Sequence, residues 1–138
     1  LHSLSHLIIN QLSLDAGYSL SSLSERIYCS DEEGSMMSGI LIYTASDGAS
    51  ETLGGLVRQL KSNSLLRILV NLKEKFSVCS NDPICIESNG QGLGSLNYAA
   101  CHACCLLPET SCEFMNIFLD RNLIFSLIEF LKTSSISL

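Results

Sequence analysis

The stretch that decides the fold is CSNDPICIESNGQGLGSLNYAACHACCLLPETSC, residues 79–112. Setting Cys105 aside, its cysteines follow the pattern C-x5-C-x15-C-x2-C-x7-C. A C-x2-C turn brings two sulfurs to one side, and four thiolates close a tetrahedron around zinc at about 2.3 Å. The stretch therefore predicts a structural zinc site with no open coordination position.

The predicted ligands are Cys101, Cys104 and Cys112 together with one upstream cysteine. Cys85 is favoured as the fourth ligand because it is nearer and follows a proline, and Cys79 remains the alternate ligand. The remaining two cysteines, Cys29 and Cys105, are interpreted as small buried hydrophobic residues. His102, inside the C-x2-C turn, is a further candidate that a thiol-rich site does not need.

A thiol redox site is the alternative for Cys101 and Cys104, because C-x-x-C is also the motif of thioredoxin-type enzymes. That motif normally follows a strand closely, whereas Cys101 follows a glycine-rich segment. The cysteines nearby favour a metal, so we expect a domain that is not itself an enzyme.

A second pair of candidate metal ligands lies at the start of the chain. His2 and His6 are four residues apart on a predicted helix, the spacing of the H-E-x-x-H zinc motif. The glutamate of that motif is absent, so we interpret the two histidines as polar positions beside an apolar stripe.

Composition limits the class of protein. The 138 residues suit one domain, whose 46% hydrophobic content suggests that part of its surface faces a partner. The first residue is not Met, and we expect residues 1–138 to be the C-terminal fragment of a larger protein. Seven cysteines without a secretory signal indicate a reducing compartment, hence the cytoplasm, and no apolar run is long enough for a membrane span.

The net charge of −6 argues against an autonomous nucleic-acid-binding protein. Five of the eight basic residues nevertheless lie between residues 52 and 75. A solvated helix face is the ordinary explanation of such a stretch, and a phosphate-binding surface is the other. The candidate DNA contacts are Arg58, Lys61 and Arg67.

Hydrophobic periodicity predicts an α+β fold in which helices pack against a small β-sheet. The cysteine-rich segment of this fold is expected to be held by zinc. Helices are expected over residues 1–15, after which Gly17 can supply a left-handed cap, around residues 65–76, and from an N-cap at Asp120 to about Lys132. Strands are expected over residues 25–30 and 39–45, the second as a central strand covered on both faces.

Several strings, in order along the chain, resemble one known family. They are LHSLSHL (1–7), GILIYT (39–44), TLGGLV (52–57), CSNDP (79–83), ACHAC (100–104) and PETSCE (108–113). They are similar to the zinc-binding domain at the C-terminal end of mitomycin repair factor A type helicases and in the B subunit of the DISARM phage-defence system.

The resemblance implies a four-cysteine zinc site in a domain fused to, or partnered with, a superfamily 2 helicase. Its C-x-x-C and following cysteine match Cys101, Cys104 and Cys112, and its upstream ligand matches Cys85. The implied role is a scaffold or a DNA- or partner-binding module in DNA repair or phage defence, with DNA reached through the larger assembly. No helicase motif is present in these residues.

Overall fold

The computed structural model describes residues 1–45, 53–59 and 62–133. Its helices are α1 (His2–Ala16), α2 (Leu53–Gln59), α3 (Ser62–Phe76) and α4 (Asn122–Thr133). Its strands are β1 (Leu23–Ser30) and β2 (Met37–Thr44), which form an antiparallel hairpin. The predicted α+β class is confirmed, and the expected helices and strands occur in the expected order.

The central helix is α1, which packs against α2, α3, α4 and both strands. It ends where predicted, because Gly17 adopts the left-handed conformation (φ 75°) and donates its backbone N–H to the carbonyl of Ser13. Its apolar side meets α3 in a core that includes Leu7, Ile9, Leu12, Ile68 and Leu72.

The polar side of α1 is buried too, which its apolar stripe alone does not predict. Ser3, Ser5, His6 and Gln11 are all buried, and His6 is completely inaccessible. They are covered by neighbouring segments: Ser3 Oγ, for instance, accepts the backbone N–H of Asp120 at 2.9 Å. Burial of polar groups favours hydrogen-bonded partners, and Ser3 and His6 find theirs in segments outside α1.

The hairpin differs from the sequence prediction. In the part of the chain that the structure describes, the sheet has two strands, so residues 39–45 do not form a central strand. Ile42 packs against the core, whereas Leu41 and Tyr43 are exposed. A continuous apolar run indicates that both faces of a strand avoid water, but here one face is open.

The segment between α3 and α4 contains turns, one short helical turn (Leu93–Ser95) and two isolated backbone bridges. Its side chains nevertheless enter the core, including Cys85, Cys105 and Leu119 at full burial. The segment ends at Asp120, whose carboxylate accepts the N–H of Asn122 at 2.8 Å and so caps α4 as predicted. Among the described residues, no helix is both long and apolar enough to cross a bilayer.

Candidate metal centre

Four cysteine side chains from the segment after α3 converge on one point. The Sγ atoms of Cys79, Cys85, Cys101 and Cys104 all lie within 4.8 Å of one another. The Cys79–Cys101 distance is 3.5 Å, and Cys104 lies 3.8 Å from both Cys85 and Cys101. Thiolates on a tetrahedral zinc with bonds of about 2.3 Å have sulfurs about 3.8 Å apart. The cluster therefore has the size and the donor chemistry of a closed zinc site.

One half of the cluster is a tight turn at the C-x2-C motif. The carbonyl of Cys101 accepts the backbone N–H groups of Cys104 at 3.1 Å and of Cys105 at 2.9 Å. The N–H of Cys101 in turn points to Cys104 Sγ at 3.3 Å. The backbone thus holds both sulfurs on one side and supplies a donor to a thiolate.

The other half is the turn that contains Pro83. Asp82 N donates to the carbonyl of Cys79, and Cys85 N donates to that of Asn81, both at 2.9 Å. The N–H of Asn81 also points to Cys79 Sγ at 3.4 Å. This turn therefore directs its two sulfurs toward the C-x2-C pair.

An ion pair between a buried arginine and a partly exposed aspartate fixes this second turn to the body of the domain. Arg121 is completely buried, and its Nη2 donates to both carboxylate oxygens of Asp82 at 2.8 and 3.1 Å. Asp82 also accepts the N–H of Cys79 at 2.7 Å, so the guanidinium is linked to a sulfur-bearing residue through one carboxylate. Burial opposes the charge of Arg121, but Asp82 and the neighbouring Cys104 and Cys85 raise its pKa. Arg121 thus places a fixed positive charge beside a cluster that is negative when its thiols ionise.

The protonation of the four thiols shows why a cation suits them. Burial raises the pKa of Cys79 and of Cys85, and a hydrogen bond with Cys105 together with burial raises that of Cys104. Burial opposes ionisation of Cys101 too, but hydrogen bonds from the Ala103 backbone and from Cys79 lower its pKa overall. Crowded thiolates repel one another, so all four ionise together only around a positive ion.

The structure brings together Cys85, Cys101 and Cys104 from the favoured set, but the fourth member of the cluster is not the one in that set. Cys79, the alternate candidate, occupies the fourth position, and Cys112 lies in a different group of side chains. The cause is the pairing of the following loop with β1: Glu25 N donates to the carbonyl of Ser111 at 3.1 Å. That contact carries Cys112 away from the C-x2-C turn and toward α1.

The group that receives Cys112 contains His2, His6 and Glu25. One donor atom of each lies within 4.8 Å of the others, and the site lies between α1, β1 and the loop. The interpretation of the two histidines as polar positions beside an apolar stripe therefore does not describe their surroundings, since both lie next to Glu25 and Cys112. Their i, i+4 spacing was the available signal, and the acidic partner comes from β1 instead of from the helix.

The geometry argues against the redox alternative. A reactive C-x-x-C pair normally lies at the N-terminus of a helix, which lowers a thiol pKa. Between the short turn at Leu93–Ser95 and α4, all of which is described, the chain forms no helix. Cys101 and Cys104 also share their surroundings with two more thiols, which suits a metal better than a two-thiol redox cycle.

The other candidate residues lie on the surface or outside the described part of the chain. His102 is exposed and does not belong to the cluster. Cys105 is buried as expected, whereas Cys29 is exposed, so that prediction is wrong for Cys29. Arg58 and Arg67 are exposed on α2 and α3, and Lys61 lies outside the described residues.

The comparisons with known proteins agree with this metal chemistry. The family described as MrfA Zn-binding domain matches residues 4–105, a range that contains all four clustered cysteines. A curated relative, the DISARM protein DrmB of Bacillus paralicheniformis, is 43% identical over 129 residues, which cover 94% of this chain. The chain spans only 22% of the length of that relative. With a matching family model over most of its length and a four-cysteine cluster of metal-binding size, the chain belongs to the zinc-binding family of MrfA Zn-binding domains.

Proposed function

We propose that this domain is a structural zinc module, with the ion held by Cys79, Cys85, Cys101 and Cys104. The observation that carries the proposal is the sulfur spacing of 3.5 to 3.8 Å, close to that of a tetrahedral four-thiolate site. Four protein ligands leave no position for water or substrate. The domain itself is therefore a scaffold and not an enzyme.

Zinc in this position contributes directly to folding. The segment from Cys79 to Cys105 has few regular backbone hydrogen bonds, yet it places buried side chains in the core. Structural zinc sites in small domains contribute on the order of 10 kcal/mol at neutral pH. The ion replaces the sheet or helix that would otherwise order such a segment.

The wider role that we propose is in phage defence, as a scaffold within a larger protein or assembly. The support is the relative named as a DISARM protein, together with the small share of that relative which this chain spans. By resemblance, the partner is a superfamily 2 helicase, in cis or in trans, and DNA is reached through the assembly. Seven free cysteines suit the reducing cytoplasm.

An apolar surface on the hairpin supports the partner-binding part of this proposal. Tyr28, Met37, Leu41 and Tyr43 are exposed along the two paired strands. Exposed apolar side chains grouped on one element are typical of protein interaction surfaces. We propose that this surface packs against another part of the defence assembly.

The exposed arginines of α2 and α3 supply the proposed DNA contact. Arg58 lies in the last turn of α2, and Arg67 lies on α3, with Lys61 between these helices in the sequence. Their exposure leaves them available to phosphate, although the chain carries a net charge of −6. The contact therefore requires the larger assembly to bring DNA to this surface.

The structural role is tested by zinc analysis of Cys104→Ser, purified under reducing conditions, with His102→Ala as the matched control in the same turn. We expect Cys104→Ser to lose one zinc ion and the order of the cysteine segment, and the control to keep both. A folded Cys104→Ser variant with unchanged zinc content would reject the proposed ligand set.

The DNA contact is tested by charge reversal in the complete defence assembly. Arg58→Glu with Arg67→Glu should weaken binding and lower the slope of log affinity against log salt by about one for each phosphate that is no longer neutralised. Arg26→Glu is the control, because Arg26 is exposed on β1 and pairs with Glu113 at 3.7 Å. Equal affinities and slopes in the two variants would exclude Arg58 and Arg67 as contacts.

A further inference from the structure

A second group of donor side chains lies apart from the four-cysteine cluster, between α1, β1 and the loop around Cys112. His2 Nε2 lies 3.1 Å from Cys112 Sγ and 3.2 Å from Glu25 Oε1, and His6 Nε2 lies 3.2 Å from the same oxygen. Ligands on a tetrahedral zinc, with bonds of about 2.0 to 2.3 Å, are about 3.3 to 3.6 Å apart. We propose that His2, His6, Glu25 and Cys112 form a second zinc site.

The hydrogen bond on the far side of His6 determines what its other nitrogen offers. His6 Nδ1 lies 2.8 Å from the carbonyl oxygen of Cys105, and a carbonyl only accepts, so Nδ1 carries the proton. In the neutral ring, Nε2 then presents a lone pair toward the carboxylate of Glu25, which is also an acceptor. Two acceptors that face each other need a cation between them. A ring N–H donated to a backbone carbonyl is also the usual arrangement of a metal-bound histidine.

The buried carboxylate of Glu25 is a second observation, independent of His6, that points to a cation at this site. Its side chain is buried, and its Oε2 has no hydrogen-bond partner that meets ordinary geometry. The nearby Ser5 hydroxyl helps to lower the pKa of Glu25, but Ser5 Oγ likewise makes no hydrogen bond of acceptable geometry. Within residues 1–45, 53–59 and 62–133, the ion pairs of Glu25 are with the two histidines alone. A buried carboxylate without Lys or Arg is stabilised by a metal ion that shares its charge.

The donor set selects the class of metal. Two imidazole nitrogens, one thiolate and one carboxylate are ligands of zinc, whereas calcium and magnesium prefer oxygen alone. Four protein ligands again describe a closed structural site. Cys112 Sγ also accepts the backbone N–H of Asn116 at 3.2 Å, which steadies a thiolate.

The alternative to a metal ion in this cluster is protonation of its histidines. Burial opposes protonation of His6, but hydrogen bonds with Cys112 and Glu25 and the charge of Glu25 raise its pKa to about 9. The pKa of Cys112 falls to about 7, because hydrogen bonds from His2 and His6 outweigh its burial. A charged histidine would then hold the two anions, and no metal would bind.

The position of the site gives it a role distinct from that of the first. Its ligands come from α1, β1 and the loop, and the sequence separation of His2 and Cys112 is 110 residues. His6 also contacts the carbonyl of Cys105, the residue after Cys104 of the first cluster. A metal here would join the first helix to a loop that is distant in sequence and support the C-x2-C turn from behind.

The experiment counts zinc in the full 138-residue chain and in its His2→Gln variant, both purified under reducing conditions. His2 is the mildest position to change, because it is the first residue of α1 and is partly exposed. We expect two zinc ions per chain in the parent and one in the variant. Cys29→Ser, which alters an exposed cysteine outside both clusters, should retain two.

Cobalt substitution keeps the test decisive if a variant folds poorly. The cobalt spectrum of the parent should be the sum of a four-thiolate site and a site with one thiolate, and His2→Gln should lack only the second component. One metal ion per parent chain, with a pure four-thiolate spectrum, would overturn the second site and leave the proposed function intact. Loss of the four-thiolate component in Cys104→Ser tests the proposed function separately.

Discussion

The two donor clusters differ in how the chain brings their ligands together. The four-cysteine cluster lies within residues 79–104, and two short turns direct all four sulfurs. The second cluster, His2, His6, Glu25 and Cys112, is the mixed cluster. It takes two ligands from one helix, one from a strand and one from a distant loop. The first can assemble from local structure, whereas the second forms only when α1, β1 and the loop have docked. A change at the first should therefore disrupt a segment, and a change at the second should loosen tertiary contacts.

The largest effect that we expect from a single substitution is that of Cys85→Ser. Because Cys85 is fully buried and a structural zinc contributes on the order of 10 kcal/mol, the variant should lose the order of residues 79–105. Hydrogen exchange should show fast exchange at the N–H groups of Cys104 and Cys105, and slow exchange in the interior of α1. Equal loss of protection in α1 would contradict a locally assembled first cluster.

That difference explains which parts of the sites could be predicted from sequence. Cys101 and Cys104 are a local pair, so their spacing alone was sufficient. The position of Cys112, which was predicted to belong to the four-ligand set, was not a local question, because it depends on where the loop at Ser111 pairs with β1. The separation of His6 from Glu25 is 19 residues, and no short motif contains both.

A smaller effect is expected from Arg121→Met. The substitution removes the buried guanidinium that holds Asp82 and the carbonyl of Phe76, and loss of hydrogen bonds to a charged group costs about 1.5 to 3 kcal/mol. Chemical denaturation would measure the loss. Arg26→Met is the control, because its pair with Glu113 is exposed and should contribute no more than about 1 kcal/mol. Equal losses in both variants would show that Arg121 does not support the cysteine turn.

The fold was easier to predict than the sites, since helices follow from periodicity. The Gly17 cap and the Asp120 cap are local features, and both occur where the sequence places them. The strand at Met37–Thr44 was predicted from the sequence, but the exposure of one of its faces was not. Its apolar run resembles that of a central strand, whereas Leu41 and Tyr43 are exposed on a two-stranded hairpin.

The next smaller loss of stability is expected from Asn116→Ala, in the loop that contains Cys112. The side chain of Asn116 bonds both the N–H and the carbonyl of Leu107, at 2.8 and 2.9 Å. Leaving these buried groups without partners costs about 1 to 3 kcal/mol. Thermal or chemical unfolding should reveal this loss, with the zinc of the four-cysteine cluster retained. Asn122→Ala, at an exposed position, is the matched control, and an equal change in both would exclude a bracing role for Asn116.

The smallest effect should come from His102→Ala, inside the C-x2-C motif. His102 is exposed and outside the cluster, so stability should change by no more than about 0.5 kcal/mol and zinc content should not change. Zinc analysis and an unfolding curve measure both quantities. Loss of zinc would mean that an imidazole replaces one of the four thiolates.

The most direct test of the central claim is X-ray absorption at the zinc edge of the double variant His2→Gln/Cys112→Ser. Removal of two mixed-cluster ligands should leave only the ion of the four-cysteine cluster. The spectrum should show four sulfur neighbours at about 2.3 Å, because Cys79, Cys85, Cys101 and Cys104 remain. Three sulfurs with a nitrogen or oxygen neighbour, or complete loss of zinc, would mean that Cys112 is a ligand of this site and would contradict the account.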